Sequence, residues 1–287
     1  MSEPFIILHS GEDRDGWLEA RRPVVTATDV ARLARGGAGV WAAIRAEKAG
    51  RGRDFRNAAM QHGNEREPFI AAYAQSAFGI RPSKALVAAS DRPEFAATPD
   101  GIGPDEVGEY KTTVHDWAVL SDAPGRYIDQ ALWQMRVTGR RRARLVFEPH
   151  DNGIPLYPFP KDFLIEWDAK RVAELEEVAD EFFTLAVAAD EDAAELDALL
   201  TEYATLAEIA DAAKARADAA KARIEDHLDG KPRRFEGSLA NLTRSKDGFS
   251  KRFDQTALKE ADPDTFEKYL RSTPTKGRLT ITLRGAA

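Results

Sequence analysis

The chain has 287 residues, 43% of them apolar and 31% charged, which is enough for a sizeable core in one large domain or a domain with an extension. A net charge of −7 argues against a protein that coats nucleic acid by bulk charge, and the absence of cysteine excludes disulfides and cysteine-ligated zinc or iron–sulfur centres. No apolar run approaches the roughly 20 residues that cross a bilayer, and no basic stretch leads into an apolar core at the N-terminus, so a reducing cytoplasm is expected.

Residues 1–16 read as extended and irregular, and Trp17 opens a short segment ending in Arg21 and Arg22. Pro23-Val24-Val25 is extended, and Thr26-Ala27-Thr28-Asp29 then supplies capping side chains for a helix whose inner face carries Val30, Leu33 and Ala34. Gly36-Gly37-Ala38-Gly39 ends that helix. It is no phosphate-binding P-loop, because no Gly-Lys-Ser/Thr follows. A second helix is predicted over residues 40–48 and a longer one over 57–78, with Pro68 inside it as a kink or restart and Gly79 as its stop. Strand-like runs follow at 84–89, 94–98 and 107–113, then a helix over 124–137 ended by Gly139, and a strongly apolar strand over 143–147. Residues 154–159 read as an edge strand because of Pro155 and Pro158.

This order defines an α/β core up to about residue 165. Residues 162–185 read as one amphipathic helix. Residues 190–228 are alanine-rich and charged, with Leu196, Leu199, Leu200, Leu206, Ile209 and Ile224 as a seam, and read as a long helix or helical hairpin. The remainder has strand-like ends flanking a short helix near residues 264–270. Three regions result: a core with its closing helix (1–188), the charged helix (189–229) and a small α+β region (230–287). Much of the acid lies between residues 174 and 229. Basic residues cluster earlier, at Lys48, Arg51, Arg53 and Arg56 and again at Arg136, Arg140, Arg141, Arg142 and Arg144. Either cluster suits phosphate contact or a solvated surface. For any single arginine the surface is the simpler expectation.

The richest segment is Ala96-Ala97-Thr98-Pro99-Asp100-Gly101-Ile102 followed by Gly108-Glu109-Tyr110-Lys111. Side chains alternate along a strand, so Glu109 and Lys111 share a face while Tyr110 points away. If Asp100 ends a neighbouring strand, two carboxylates meet. Such a pair makes an oxygen-rich site for Mg²⁺ or Mn²⁺ beside a cation, which is equipment for phosphodiester hydrolysis. Further candidates surround it. Glu67 offers a third carboxylate from the long helix, or is a solvent-facing glutamate. Tyr127 and Gln130 share a helix face. Arg21 with Thr26 and Thr28 suits a terminal phosphate, or is an N-cap beside a surface arginine. Thr98 supplies another hydroxyl. The five histidines show neither zinc-protease nor deaminase spacing.

The ordered set resembles the lambda-exonuclease or YqaJ-type viral recombinase family of the PD-(D/E)XK nuclease superfamily. It runs Trp17, Arg21, Thr26-Ala27-Thr28, Gly63-x-x-x-Glu67, Thr98-Pro99-Asp100-Gly101, Glu109-x-Lys111, Tyr127-x-x-Gln130, Val137-Thr138-Gly139. Three positions depart from the family pattern: Thr28 stands for a frequent serine and keeps its hydroxyl, Tyr110 stands for an aliphatic residue and Pro23 for a frequent glycine. Residues 251–254 and 276–281 look like tails on some phage members. The resemblance implies a restriction-endonuclease-like α/β core with a central mixed sheet. It implies Asp100, Glu109, the Tyr110 backbone carbonyl and Glu67 as metal ligands, Lys111 as the group that orients water and steadies charge, and Gln130 as a support. Arg21, Thr26, Thr28 and Thr98 then match a 5′-phosphate grip, with Tyr127 supporting the helix face. The implied protein is a phage- or prophage-encoded, Mg²⁺-dependent 5′→3′ exonuclease on double-stranded DNA ends, with Mn²⁺ as a substitute ion. Its implied partners are a single-strand annealing protein and further copies of itself, as in trimeric relatives. The alternatives are an endonuclease or RecB-like single-strand nuclease of the same superfamily, or a non-catalytic DNA-binding assembly protein on this scaffold.

Overall fold

The computed structural model describes residues 4–51, 58–185, 191–246, 248–249, 253–271 and 280–282. Arg53, Arg56, Lys251, Arg252 and residues 276–279, singled out above, lie outside them. The chain divides into two compact units, one reaching Ala212 and the other spanning Ala213–Leu283.

The first unit opens with β1 (Phe5–His9), a half-exposed strand where the sequence suggested irregular chain. Next come α1 (Arg14–Arg21), α2 (Ala27–Arg35), α3 (Ala38–Lys48) and α4 (Ala58–Phe78). Asp13 caps α1, accepting from the Asp15 and Gly16 amides. Asp29 reaches back from the first turn of α2 to the Thr26 amide (2.9 Å) and hydroxyl (2.7 Å). Pro68 lies inside an unbroken α4. Then follow β2 (Arg81–Pro82), β3 (Leu86–Ala89), β4 (Ala96–Ala97), β5 (Gly101–Ile102), β6 (Glu106–Thr113), α5 (Gly125–Thr138), β7 (Arg142–Asp151), β8 (Ile154–Pro155), β9 (Lys161–Glu166) and α6 (Ala169–Thr184). The chain continues into α7 (Glu191–Leu228), a single helix rather than a hairpin.

One sheet runs β2-β5-β6-β7-β8, with β9 also pairing β7; a second runs β1-β3-β4. β6 and β7 are parallel, and the crossover between them is α5, as parallel neighbours require. The other pairings are antiparallel, which makes the sheet mixed. Period-2 alternation sorts β6 and β7 between two cores. Val107, Ala143, Leu145 and Phe147 face a large cluster that includes Leu132, Trp133 and Met135 of α5 and Val172, Leu175, Ala179 and Phe182 of α6. Tyr110 and Val146 face the other side, against Ile70, Ala71 and Ala74 of α4. The fold is α/β: a mixed sheet flanked by helices, with a helical extension.

A further element departs from the sequence reading. Residues 161–166, expected within a helix starting near Asp162, form β9 against β7, and the helix begins at Ala169 with Asp168 as its cap. Ile165 is buried while its neighbours are half-exposed or exposed, a strand pattern that a single buried residue barely signals.

Candidate active site

The β5–β6 hairpin aligns Gly101 with Gly108 and Ile102 with Val107, closed by a Gly103 amide bond to the Glu106 carbonyl. Continued one step, that register sets Asp100 opposite Glu109. Opposed residues of an antiparallel pair project from one face, so the two carboxylates converge where the strands part. The hairpin ends there because the Tyr110 amide is taken by Asp100 Oδ2 at 2.7 Å rather than by a backbone carbonyl.

Glu109 is 4% exposed, and both of its oxygens are engaged. Lys111 Nζ stands 2.5 Å from Oε1, and Gln134 Nε2 donates to Oε2 at 2.5 Å. Lys111 also lies over the Tyr127 ring, 5.2 Å from its centroid. Burial and then the Glu109 carboxylate push Asp100 up to about 7; Lys111 opposes them, and Glu67 adds a smaller push in the same direction. Burial works against a charged Lys111, but Glu109 and Asp100 outweigh it and hold its pKa above the ordinary lysine value. Glu67, half-buried on α4, approaches from the side of the sheet that α4 covers, and its charge reaches both Asp100 and the Tyr110 phenol.

Tyr110, which departs from the family pattern, is accommodated by two glycines. Its ring lies so close over Gly101 and Gly108 that a Cβ on either would collide with it. The phenol oxygen is buried without a hydrogen-bond partner.

The second group gathers at the start of α2. Residue Val25 bridges Phe95, giving its carbonyl to the Ala96 amide and taking the Glu94 carbonyl, so α2 begins beside the strand that leads to Thr98 and Asp100. The Arg21 guanidinium lies over Trp17 (4.4 Å) and donates to the Thr26 hydroxyl at 3.2 Å. Thr26 is 3% exposed and committed to Asp29, so it anchors Arg21 rather than facing solvent. Thr28 is exposed and accepts from Gln130 Nε2 at 3.3 Å. Thr98 is half-buried. Beneath this group Lys48 Nζ contacts Asp29 Oδ2 (2.6 Å) and the Arg21 carbonyl (2.9 Å). Burial opposes the Asp29 charge, yet Lys48 and Arg21 keep its pKa below the ordinary value.

Gln130 therefore touches the Thr28 group, and the residue that holds Glu109 is Gln134, one turn later on the same face of α5. Sequence reasoning missed Gln134, although a second glutamine four residues on was the available signal. Helix α5 is itself fixed by Trp133 Nε1 on the Ala96 carbonyl (3.0 Å) and by Asp129, which Arg35 and Arg171 bracket at 2.7 and 2.8 Å. The later basic cluster is structural. Arg136 pairs with Asp91 and Glu176, Arg144 with Glu106 and Asp162, and Arg141 lies over Trp167.

Among the described residues no three His, Asp or Glu side chains form a metal cage. Asp100 and Glu109 still suit Mg²⁺, which is commonly held by one or two carboxylates with water and phosphate completing its shell. Burial first, and the Glu109 charge second, hold Asp100 back from ionising, a condition that a divalent cation relieves.

A mixed sheet that brings two carboxylates and a lysine together at the edge of one hairpin is an arrangement suited to a nuclease. Residues 16–141 match the family described as YqaJ-like viral recombinase domain. It is similar to LHK-Exo in complex with dAMP: 27% identity, TM-score 0.51, covering 67% of this chain and 99% of that one. It is also similar to the alkaline exonuclease LHK-Exo from Laribacter hongkongensis, at 27% identity and TM-score 0.49 over the same shares. No curated protein matches the chain. Among the described residues no helix is long and apolar enough to cross a membrane.

Proposed function

We propose that the chain is a Mg²⁺-dependent exonuclease that removes nucleotides 5′→3′ from double-stranded DNA ends, with Asp100, Glu109 and Lys111 as its catalytic group. The observation that carries this reading is the Gly101–Gly108 pairing and the Tyr110 amide bond to Asp100 Oδ2, which bring Asp100 beside Glu109, with Lys111 held against Glu109. The ion's ligands are the two carboxylates and the Tyr110 backbone carbonyl, with Glu67 joining directly or through water. A strand residue's carbonyl lies on the same edge as its amide, and the Tyr110 amide already faces Asp100.

When bound, Mg²⁺ supplies Lewis-acid stabilisation of phosphoryl charge and an activated water. Lys111 keeps its charge at the site and places it, preorganised, where negative charge develops on the scissile phosphate. Gln134 prevents Glu109 from rotating. Arg21, set by Trp17 and Thr26, offers a guanidinium to a terminal phosphate, with the Thr28 and Thr98 hydroxyls beside it. Gln130 and Gln134 link the two groups across about 6 Å of helix. That span covers one to two nucleotides at about 3.4 Å of axis each, so a gripped 5′ end presents a bond close to its terminus. The dAMP in complex with LHK-Exo is a single nucleotide, the size of fragment this spacing favours. The reading carries with it a homo-oligomer and a single-strand annealing protein as partners.

The test is digestion of end-labelled linear duplex, with and without a 5′-phosphate, in Mg²⁺ and in chelator. Asp100→Ala abolishes cleavage, and Arg21→Ala selectively harms phosphorylated ends. Equal Arg21→Ala losses on linear and circular substrates would overturn the end-directed part, and metal-independent cleavage would overturn the whole.

A further inference from the structure

The second unit carries a surface that the nuclease reading leaves unused. Its 71 residues hold 16 Lys and Arg against 11 Asp and Glu, a net +5. The rest of the chain holds 25 against 37, a net −12. An acidic protein that acts on a polyanion has therefore concentrated its positive excess outside its catalytic unit. About a third of the chain also lies outside the match to LHK-Exo, although that match covers 99% of LHK-Exo.

Within this unit β10 (Arg233–Glu236) and β11 (Asn241–Arg244) form an antiparallel hairpin with every β10 residue exposed. The register sets Arg233 opposite Arg244 and Phe235 opposite Leu242, all four on one face. Like charges directly across a ladder destabilise it. Arg244 answers Glu225 (3.3 Å) and the Gly230 carbonyl (2.5 Å), but among the described residues Arg233 forms no ion pair. On the opposite face Arg234 meets Glu236 only at 3.4 Å, with both side chains at least 71% exposed. Lys231 leads into the hairpin, 78% exposed. Phe235, flanked by these cations, is 56% exposed and Leu239 at the turn is 99% exposed. The Phe235–Leu242 pair supports the ladder, yet it leaves more than half of the Phe235 surface open among arginines. Exposed aromatics interleaved with cations are what a single strand requires: cations follow the phosphates, and a ring offers a face to an unpaired base.

We propose that the β10–β11 hairpin binds single-stranded DNA that passes over the open outer edge of β10, with Lys231 and Arg233 on the sugar-phosphate backbone and a base stacked on Phe235 from one face, and Arg234 on the backbone from the other. Duplex DNA offers the same phosphates but keeps its base faces covered, so Phe235 decides between the two. The proposal rests on the nuclease reading only for the source of the strand, the one left unpaired by digestion.

The experiment measures anisotropy of a labelled oligothymidylate and of a blunt duplex of equal length, using the full chain in chelator so that cleavage plays no part. The double variant Arg233→Ser, Arg234→Ser is expected to lower single-strand affinity at least tenfold. It is also expected to reduce the slope of log affinity on log salt by about 1.4, two phosphates at about 0.7 each. Phe235→Ala costs roughly 5- to 150-fold on the single strand, from about 1–3 kcal/mol per stacked base, and leaves the duplex almost unchanged. The Lys, Lys version of the double variant restores most of the affinity. If the serine variant fails to fold, Phe235→Ala, which keeps every charge, carries the test alone. Unchanged single-strand affinity in the folded variants overturns the proposal, and so does an equal loss on both substrates, which assigns the hairpin to duplex. Loss of cleavage in Asp100→Ala with intact binding would leave this inference standing, whereas intact cleavage with no hairpin effect would remove it alone.

Discussion

Gln134→Leu isolates the contribution of a residue that never needs to touch the substrate. Its amide donates to the buried carboxylate of Glu109 at 2.5 Å, and its own Oε1 is buried without a partner. Hydrogen bonds to charged groups contribute about 1.5–3 kcal/mol. If that energy serves to hold Glu109 in its working orientation, its loss lowers the rate about 10- to 150-fold. Gln130→Leu removes only a 3.3 Å bond to an exposed hydroxyl. A neutral bond of about 0.5–1.5 kcal/mol corresponds to a loss of roughly 2- to 10-fold. The assay is the initial rate of nucleotide release from linear duplex across a Mg²⁺ titration. A raised Mg²⁺ requirement in Gln134→Leu alone is the signature of a positioning role. The Leu side chain also removes a buried orphan oxygen, so the melting temperature is expected to change little. A Gln134→Leu enzyme with near-normal rate and Mg²⁺ requirement, or a Gln130→Leu enzyme that is worse, would refute this account of α5.

Three other outcomes follow from the same geometry. Tyr110→Phe removes a buried phenol oxygen that has no partner and is expected to raise stability by about 1 kcal/mol, read as a higher urea midpoint, with activity kept. Asp29→Ala strands Lys48, whose side chain is 14% exposed in the ion pair; breaking a buried pair costs about 3–5 kcal/mol, visible as a depressed midpoint that Lys48→Met partly restores. In metal-free protein, Asp100 at about 7 binds a proton that the unfolded chain releases near its ordinary value of 3.8. Stability in chelator therefore falls as pH rises between those values, and Asp100→Asn removes that slope. Denaturation curves that stay flat from pH 4 to 7 would count against the facing carboxylates.

The legible part of the site was the part written in period two. Glu109 and Lys111 share a face because residues two apart in a strand must, and Asp100 joins them through a short hairpin whose turn residues are visible in the sequence. The capping of α2 by Thr26 and Asp29 was legible for the same reason, being local. The choice between Gln130 and Gln134 was not, because both lie on one face of α5 and only the height of the helix against β6 decides which meets Glu109. The arginines at 136–144 read as phosphate contacts or as a solvated surface, and neither reading supplies their acidic partners, among them Asp91, Glu106 and Asp162, which come from elsewhere in the chain. Helix was expected at residues 161–166 because their pairing with β7 is a property of the sheet rather than of the segment.

The Asp100–Tyr110 bond spans ten residues and the Glu109–Gln134 bond twenty-five. The entropic cost of closing a loop grows with its length, and chains rich in local contacts fold faster than those dominated by distant ones. Asp100, Tyr110, Glu109 and Gln134 thus come together within one neighbourhood of the polypeptide. On a ribosome, its carboxylates are able to find each other before the distal helices have been synthesised.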